Sequence, residues 1–199
     1  MSGFGGRWVT GLLAALSLAA AGCTPRPAWH GWAMEPALAA PDVALWGSGP
    51  RPLSLAHPDG RPTLLAFGYT SCPDVCPTTL SGWRRLRERL GADGDRVRFV
   101  FVSVDYRNDR PAWVGDFARH FDPRFIGVVA DSLALLRMLP RFKADAGYVP
   151  LPGGHGSTVA HTAYTYLIDG RGVIRRGYDF DADPGGVRAD VRRMLRAGS

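Results

Sequence analysis

Two hydrophobic periods alternate along the chain. Thr63-Leu64-Leu65-Ala66-Phe67 is almost continuously apolar, the pattern of a strand buried on both faces. Residues 53–56 and the turn signal His57-Pro58-Asp59-Gly60 precede it, so the spacing predicts strand, turn, strand. Pro77 suits the first turn of a helix, in which Leu80, Trp83, Leu86 and Leu90 recur at helical spacing and Gly91 is the stop. Residues 97–104 (VRFVFVSV) form a β-branched and aromatic strand. Pro111 opens a second helix with Trp113, Val114, Phe117 and Phe121 on one face, and residues 125–129 make a third buried strand. Asp131 caps a helix carrying Leu135, Leu136 and Leu139. Residues 164–169 and 173–178 flank Gly170-Arg171-Gly172, a hairpin signal, and Asp183-Pro184 begins a last helix with Val187, Val191 and Leu195 inward.

Strand–helix alternation followed by a hairpin and a closing helix predicts one α/β sandwich. The order is that of a thioredoxin-like fold with an N-terminal β-hairpin extension and an inserted helix and strand. At 199 residues the chain has room for one such domain, assigned to residues 51–197. Hydrophobic residues make up 46% and charged residues 21%, which suits a buried core and excludes a disordered chain.

Ahead of the domain, residues 1–22 read as a targeting segment. Arg7 precedes the uncharged apolar stretch 9–21, and Ala20, Ala21 and Gly22 lead into Cys23. The segment resembles a bacterial lipoprotein signal, which implies lipidation of Cys23 and a place on the periplasmic face of the inner membrane. An uncleaved signal anchor is the competing reading. Residues 23–50 carry Pro25, Pro27, Pro36, Pro41 and Pro50 and read as a tether, with His30 solvated.

The formal net charge is +6, and of 24 basic residues all but Lys143 are arginines. Arg84, Arg85, Arg87 and Arg89 cluster, but on the polar face of the first helix. With no zinc-finger spacing and no aromatic RNA-binding signature, a nucleic-acid partner is not expected. Anionic lipid or an acidic protein remains compatible with the charge. The 3 cysteines exclude a disulfide-rich scaffold and a four-thiolate zinc site.

Two of those cysteines carry the candidate chemistry. Cys72 and Cys76 stand four residues apart between a buried strand and a helix, in GYTSCPDVCP. A helix N-terminus favours thiolate, the form that attacks disulfides and binds soft metals. As a structural disulfide the pair would close a loop of about five residues, worth only ~2 kcal/mol. Asp74 between the thiols either opposes two adjacent thiolates, which a bound cation relieves, or forms the turn. His161 lies just before a strand whose leading loop faces the cysteine loop in a thioredoxin-like core. Two thiolates and an imidazole suit copper(I), and copper(II) less comfortably. His57, His120 and His155 lack such placement.

These residues resemble the Sco/SenC family, copper-binding assembly factors for cytochrome c oxidase. The resemblance runs from about residue 53 to residue 195, through TLLAFGYTSCPDVCPTTL, FVFVSVDYRND, DPRFIGVVAD and VAHTAYTYLIDGRG. It implies Cys72, Cys76 and His161 as the metal ligands, with Asp74 and Asp105 matching family aspartates. Tyr106 stands where the family usually has proline, and Phe142 where it often has tyrosine. The function implied is a metallochaperone rather than an enzyme. It would deliver one copper ion to the CuA centre of oxidase subunit II or of a related oxidase, served by a periplasmic copper donor or thiol reductant. The alternative is a thiol–disulfide oxidoreductase reducing the acceptor's cysteines. Ser71, where such enzymes usually carry tryptophan, and the lack of a proline around His161 weigh against it.

Overall fold

In the computed structural model, residues 28–153 and 156–198 are described. The targeting segment 1–22, Cys23 and His155 lie outside the described residues. The elements are β1 (Trp32–Ala33), β2 (Thr63–Gly68), α1 (Val75–Leu90), a 3-10 helix (Gly91–Arg96), β3 (Arg98–Ser103) and α2 (Pro111–Phe121). They continue with β4 (Ile126–Val129), α3 (Ser132–Phe142), β5 (Ala146–Pro150), β6 (Ser157–His161), β7 (Thr165–Ile168), β8 (Ile174–Tyr178) and α4 (Pro184–Ala197).

Six strands form one sheet in the order β1-β8-β7-β2-β3-β4. Every residue of β2 and β3 is buried, as the apolar runs 64–67 and 99–102 within them require of central strands. β3 lies parallel to both β2 and β4, while β7 runs antiparallel to β2 and β8. This is the thioredoxin-like arrangement, with α2 and β4 inserted at one edge. Gly127 of β4 permits the insertion, since a Cβ there would overlap the Val114 carbonyl of α2. Helix signals fall where expected. The Asp131 carboxylate accepts from Ala134 N at 2.7 Å, Gly91 ends α1 at φ 62°, and Asp183 accepts from the Gly185 and Gly186 amides.

Four expectations change. The strand over residues 53–56 reduces to a bridge, because Leu53 pairs back with Leu45 rather than with β2, whose two edges are filled by β3 and β7. From residue 28 the segment assigned to a tether instead packs on the sheet. β1 pairs with β8, and Met34, Ala40, Val43 and Leu45 are buried, so its prolines shape an edge strap. His30 is half-exposed but not simply solvated. Its Nδ1 lies 3.1 Å from Asp190, and that buried carboxylate also accepts from the His30 and Gly31 amides and the Tyr178 hydroxyl. Trp113 and Leu136 face solvent, because Val114 and Ala118 of α2 and Leu135 and Met138 of α3 supply the inward stripes.

β5 and β6 form a separate two-stranded sheet that sequence reading did not foresee. Its register places Ala146 opposite His161 and Tyr148 opposite Val159. His161 therefore ends a strand of this hairpin and does not sit on a plain loop.

Candidate metal centre

β2 ends at Gly68, and the chain turns through Tyr69–Pro73 before α1 begins. Two features fix the turn. The Cys72 amide donates to the Tyr69 carbonyl at 3.3 Å, and the Asp109 carboxylate accepts from the Thr70 amide at 3.0 Å. Asp109 is buried and also accepts from the Thr70 and Ser103 hydroxyls, so it ties the cysteine loop to the end of β3. In the first turn of α1 the Cys76 amide points at Cys72 Sγ, 3.4 Å away. The helix terminus thus directs an N–H at the first sulfur.

Across the loop, the β5–β6 hairpin brings in His161. Tyr69 holds it from one side, with its hydroxyl 3.1 Å from Thr158 and its ring edge-on to the imidazole at 5.8 Å. Asp105 holds it from the other, accepting from the Tyr148 hydroxyl at 2.7 Å. Burial, then that bond, pushes the Tyr148 phenol up to about 12, so it remains a donor through the physiological range. The hairpin closes through the Asp145 amide to Thr162 Oγ1 and the Thr162 amide back to the Asp145 carbonyl.

Three donor atoms converge. Cys72 Sγ, Cys76 Sγ and one His161 ring nitrogen all lie within 4.8 Å of one another, and His161 Nε2 is 3.5 Å from Cys76 Sγ. Both cysteines are free and buried, at 8% and 2% exposure. His161 Nδ1 faces the Thr162 carbonyl at 3.2 Å, an acceptor, so Nδ1 carries the proton and Nε2 keeps a free lone pair on the side of Cys76 Sγ. Burial lowers the imidazole pKa, which favours the neutral form that can ligate a metal. Burial, then the neighbouring Cys72, raises the Cys76 thiol, so this sulfur holds its proton until a metal displaces it.

The donor set is two thiolates and an imidazole with no oxygen ligand. Asp74 is exposed at the start of α1, where its carboxylate accepts from the Thr78 hydroxyl at 3.5 Å and makes no capping bond to the helix. Asp105 is committed to Tyr148 and Asn108. Among the described residues no carboxylate joins the cluster. Soft, low-coordinate metals fit such a set, and hard oxygen-seeking cations do not. Sequence reasoning missed Asp109 and Tyr69. Both stand within the matched motifs, but their contacts reach 39 and 89 residues along the chain.

A sequence model of the SCO1/SenC family matches residues 44–196. The chain belongs to that family. Protein SenC of Rhodobacter capsulatus is 31% identical over 137 residues, covering 69% of this chain and 62% of that protein. An SCO2-like protein of Rickettsia conorii is 30% identical over 131 residues, again 62% of its length. The chain thus spans about three fifths of the length of these curated relatives. The structure of apo Sco1 from Thermus thermophilus superposes with a TM-score of 0.74 at 31% identity, covering 84% of this chain and 98% of that one. The copper-bound ScoI of Bradyrhizobium japonicum gives 0.70 at 32%, covering 79% and 100%.

Proposed function

We propose that this SCO1/SenC protein carries one copper ion on Cys72, Cys76 and His161, facing the periplasm and held to the inner membrane through Cys23. It passes the ion to the dinuclear CuA centre of cytochrome c oxidase subunit II, or to a related oxidase. The convergence of the three soft donors within 4.8 Å is the observation that supports this most. Copper(I) accepts such a trigonal set, and copper bound to a relative 32% identical agrees with it. Transfer proceeds by ligand exchange, with acceptor thiolates replacing Cys72 and Cys76 in turn. Only the reduced pair ligates, so loading needs a thiol reductant as well as a periplasmic copper donor.

His161→Ala tests the site. The reduced parent chain is expected to bind one copper and titrate two thiols when Cys23 is lipidated. The variant should keep both thiols and lose at least about tenfold in copper affinity. Unchanged affinity with free thiols refutes the three-donor centre. A second reading, thiol–disulfide exchange, is favoured by the free sulfurs lying close together at a helix N-terminus. Oxidation of the pair to a disulfide yields two electrons and two protons, which reduce one acceptor disulfide to two thiols. That activity would survive His161→Ala, whereas copper delivery would not.

A further inference from the structure

A second concentration of charge lies at the end of the sheet opposite the cysteine loop. A groove of ≈ 940 Å³ opens where Pro62 leads into β2, the β7–β8 turn closes at Gly170, and α4 ends at Ala197. Arg61, Arg96, Arg171, Arg175 and Arg176 line it against Asp95 and Asp169. A second groove of ≈ 400 Å³ lies along α4, lined by Arg188, Arg192, Arg193 and Arg196 against Asp190. Asp59 answers Arg61 from outside, and Asp93 answers Arg96 and Arg192. Nine arginines against these five aspartates still leave a positive surplus.

The chain enters the fold at the middle of this surface. Trp29 lines the first groove, and Ala28 and His30 line the second. The Arg176 and Arg193 guanidiniums stand over the Trp29 ring at 4.7 and 4.2 Å. Cys23 precedes Ala28 by five residues. Fully extended, five residues reach about 18 Å at most. A bilayer holding Cys23 is thus never far from these arginines. The metal centre lies at the other end of the six-residue β2. That strand separates the two ends by about 20 Å.

The geometry points to the arginine-lined end as the face that rests on anionic phospholipid headgroups, with the Cys72–Cys76–His161 centre turned outward. This inference rests on the anchoring part of the function proposed above. Each arginine near an anionic leaflet strengthens partitioning about fivefold, equivalent to ~1 kcal/mol. An acidic protein would meet the same charge, but the short tether keeps a bilayer within reach of these residues at all times.

The test reconstitutes the full chain into nanodiscs of phosphatidylcholine, with or without phosphatidylglycerol. Arginines are then modified with a dicarbonyl reagent and read by peptide mass spectrometry. Arg171, Arg188 and Arg196 are expected to react several-fold more slowly in the anionic discs, and the difference should vanish in high salt. Arg107 and Arg110, on the loop beside the histidine hairpin, should react equally in both. The triple variant Arg171→Gln, Arg188→Gln, Arg196→Gln should weaken the orienting attraction roughly a hundredfold. In that variant the remaining arginines should lose their lipid-dependent slowing. Equal rates for the parent in both discs overturn the inference, as does slowing at Arg107 and Arg110. Slowing that requires an added polyglutamate probe, and not phosphatidylglycerol, assigns the face to a protein and also overturns it. A chain that fails to co-purify with phosphatidylcholine discs refutes anchoring instead. Its partition onto phosphatidylglycerol vesicles then decides the surface alone.

Discussion

Gly68→Ala should damage the metal centre without replacing a ligand. Gly68 is the last residue of β2, and a Cβ placed there would lie 2.6 Å from Cys76 Sγ and 2.6 Å from the Phe101 ring. Ordinary contact begins near 3.4 Å, so the sulfur and the ring must each give by about 0.8 Å unless the Gly68 backbone shifts. The ring has little freedom, being 1% exposed on β3 and packed against Phe117 at 5.5 Å. The backbone is held too, because the Val104 amide donates to the Gly68 carbonyl at 2.8 Å. The sulfur therefore moves. Metal–ligand distances tolerate about 0.2 Å, so a displacement several times larger detaches Cys76 from the set or forces the loop to rebuild.

Overpacking of this kind costs about 1–3 kcal/mol, which lowers the thermal midpoint by roughly 2–12 °C in a domain of this size. Copper affinity should fall by at least about tenfold, ~1.4 kcal/mol, as for a misplaced ligand. Competition against a copper(I) chelator, at a temperature where the variant is folded, gives the affinity. Thermal denaturation gives the stability. Gly82→Ala is the control. It lies within α1 with only Arg85 at 3.9 Å, so alanine there should stabilise by ~0.5–1 kcal/mol and leave copper binding alone. If Gly68→Ala binds copper like the parent, the wall formed by Gly68 and Phe101 does not place the sulfur, and the steric argument is wrong.

Asp109→Asn leaves three donors facing one carbonyl oxygen and one amide nitrogen, since the Thr70 amide and the Thr70 and Ser103 hydroxyls all now donate to the carboxylate. A loss of about 2 kcal/mol by chemical denaturation and faster alkylation of Cys72 are expected, and an unchanged alkylation rate counts against the loop tie. Copper(I) affinity of the reduced chain should rise with pH between about 6 and 8, tenfold per unit for each proton displaced. The sign follows from burial, which raises the Cys76 thiol so that copper must expel its proton, and lowers His161 so that the imidazole is already neutral and adds no proton of its own. A flat affinity profile refutes that assignment of protons.

How much of this was legible in the sequence depends on how far apart the cooperating residues stand. β2 and β3 were readable because each run of six residues is buried on both faces and needs no partner to be recognised. Helix stripes were readable to within a turn, and Trp113 and Leu136 were misplaced because a local period cannot rank apolar residues that lie near the edge of a stripe. The strap over residues 28–45 was hidden by its prolines, which suit a free tether and a sheet-edge strap equally well. The β5–β6 hairpin was hidden by composition, since Gly147, Pro150, Pro152 and Gly153 read as loop while Val159 alone of its strand residues is fully buried, too little to give a burial signal. The three donors themselves were found, but through the motifs surrounding them. His161 stands 85 residues from Cys76, and their approach follows from the hairpin being held at Tyr69 and Asp105. Those attachments, like the Asp109 tie and the space at Gly68, are properties of register between distant segments. Residue types along the chain named the candidate donors, and pairing between distant segments sets the distances that separate them.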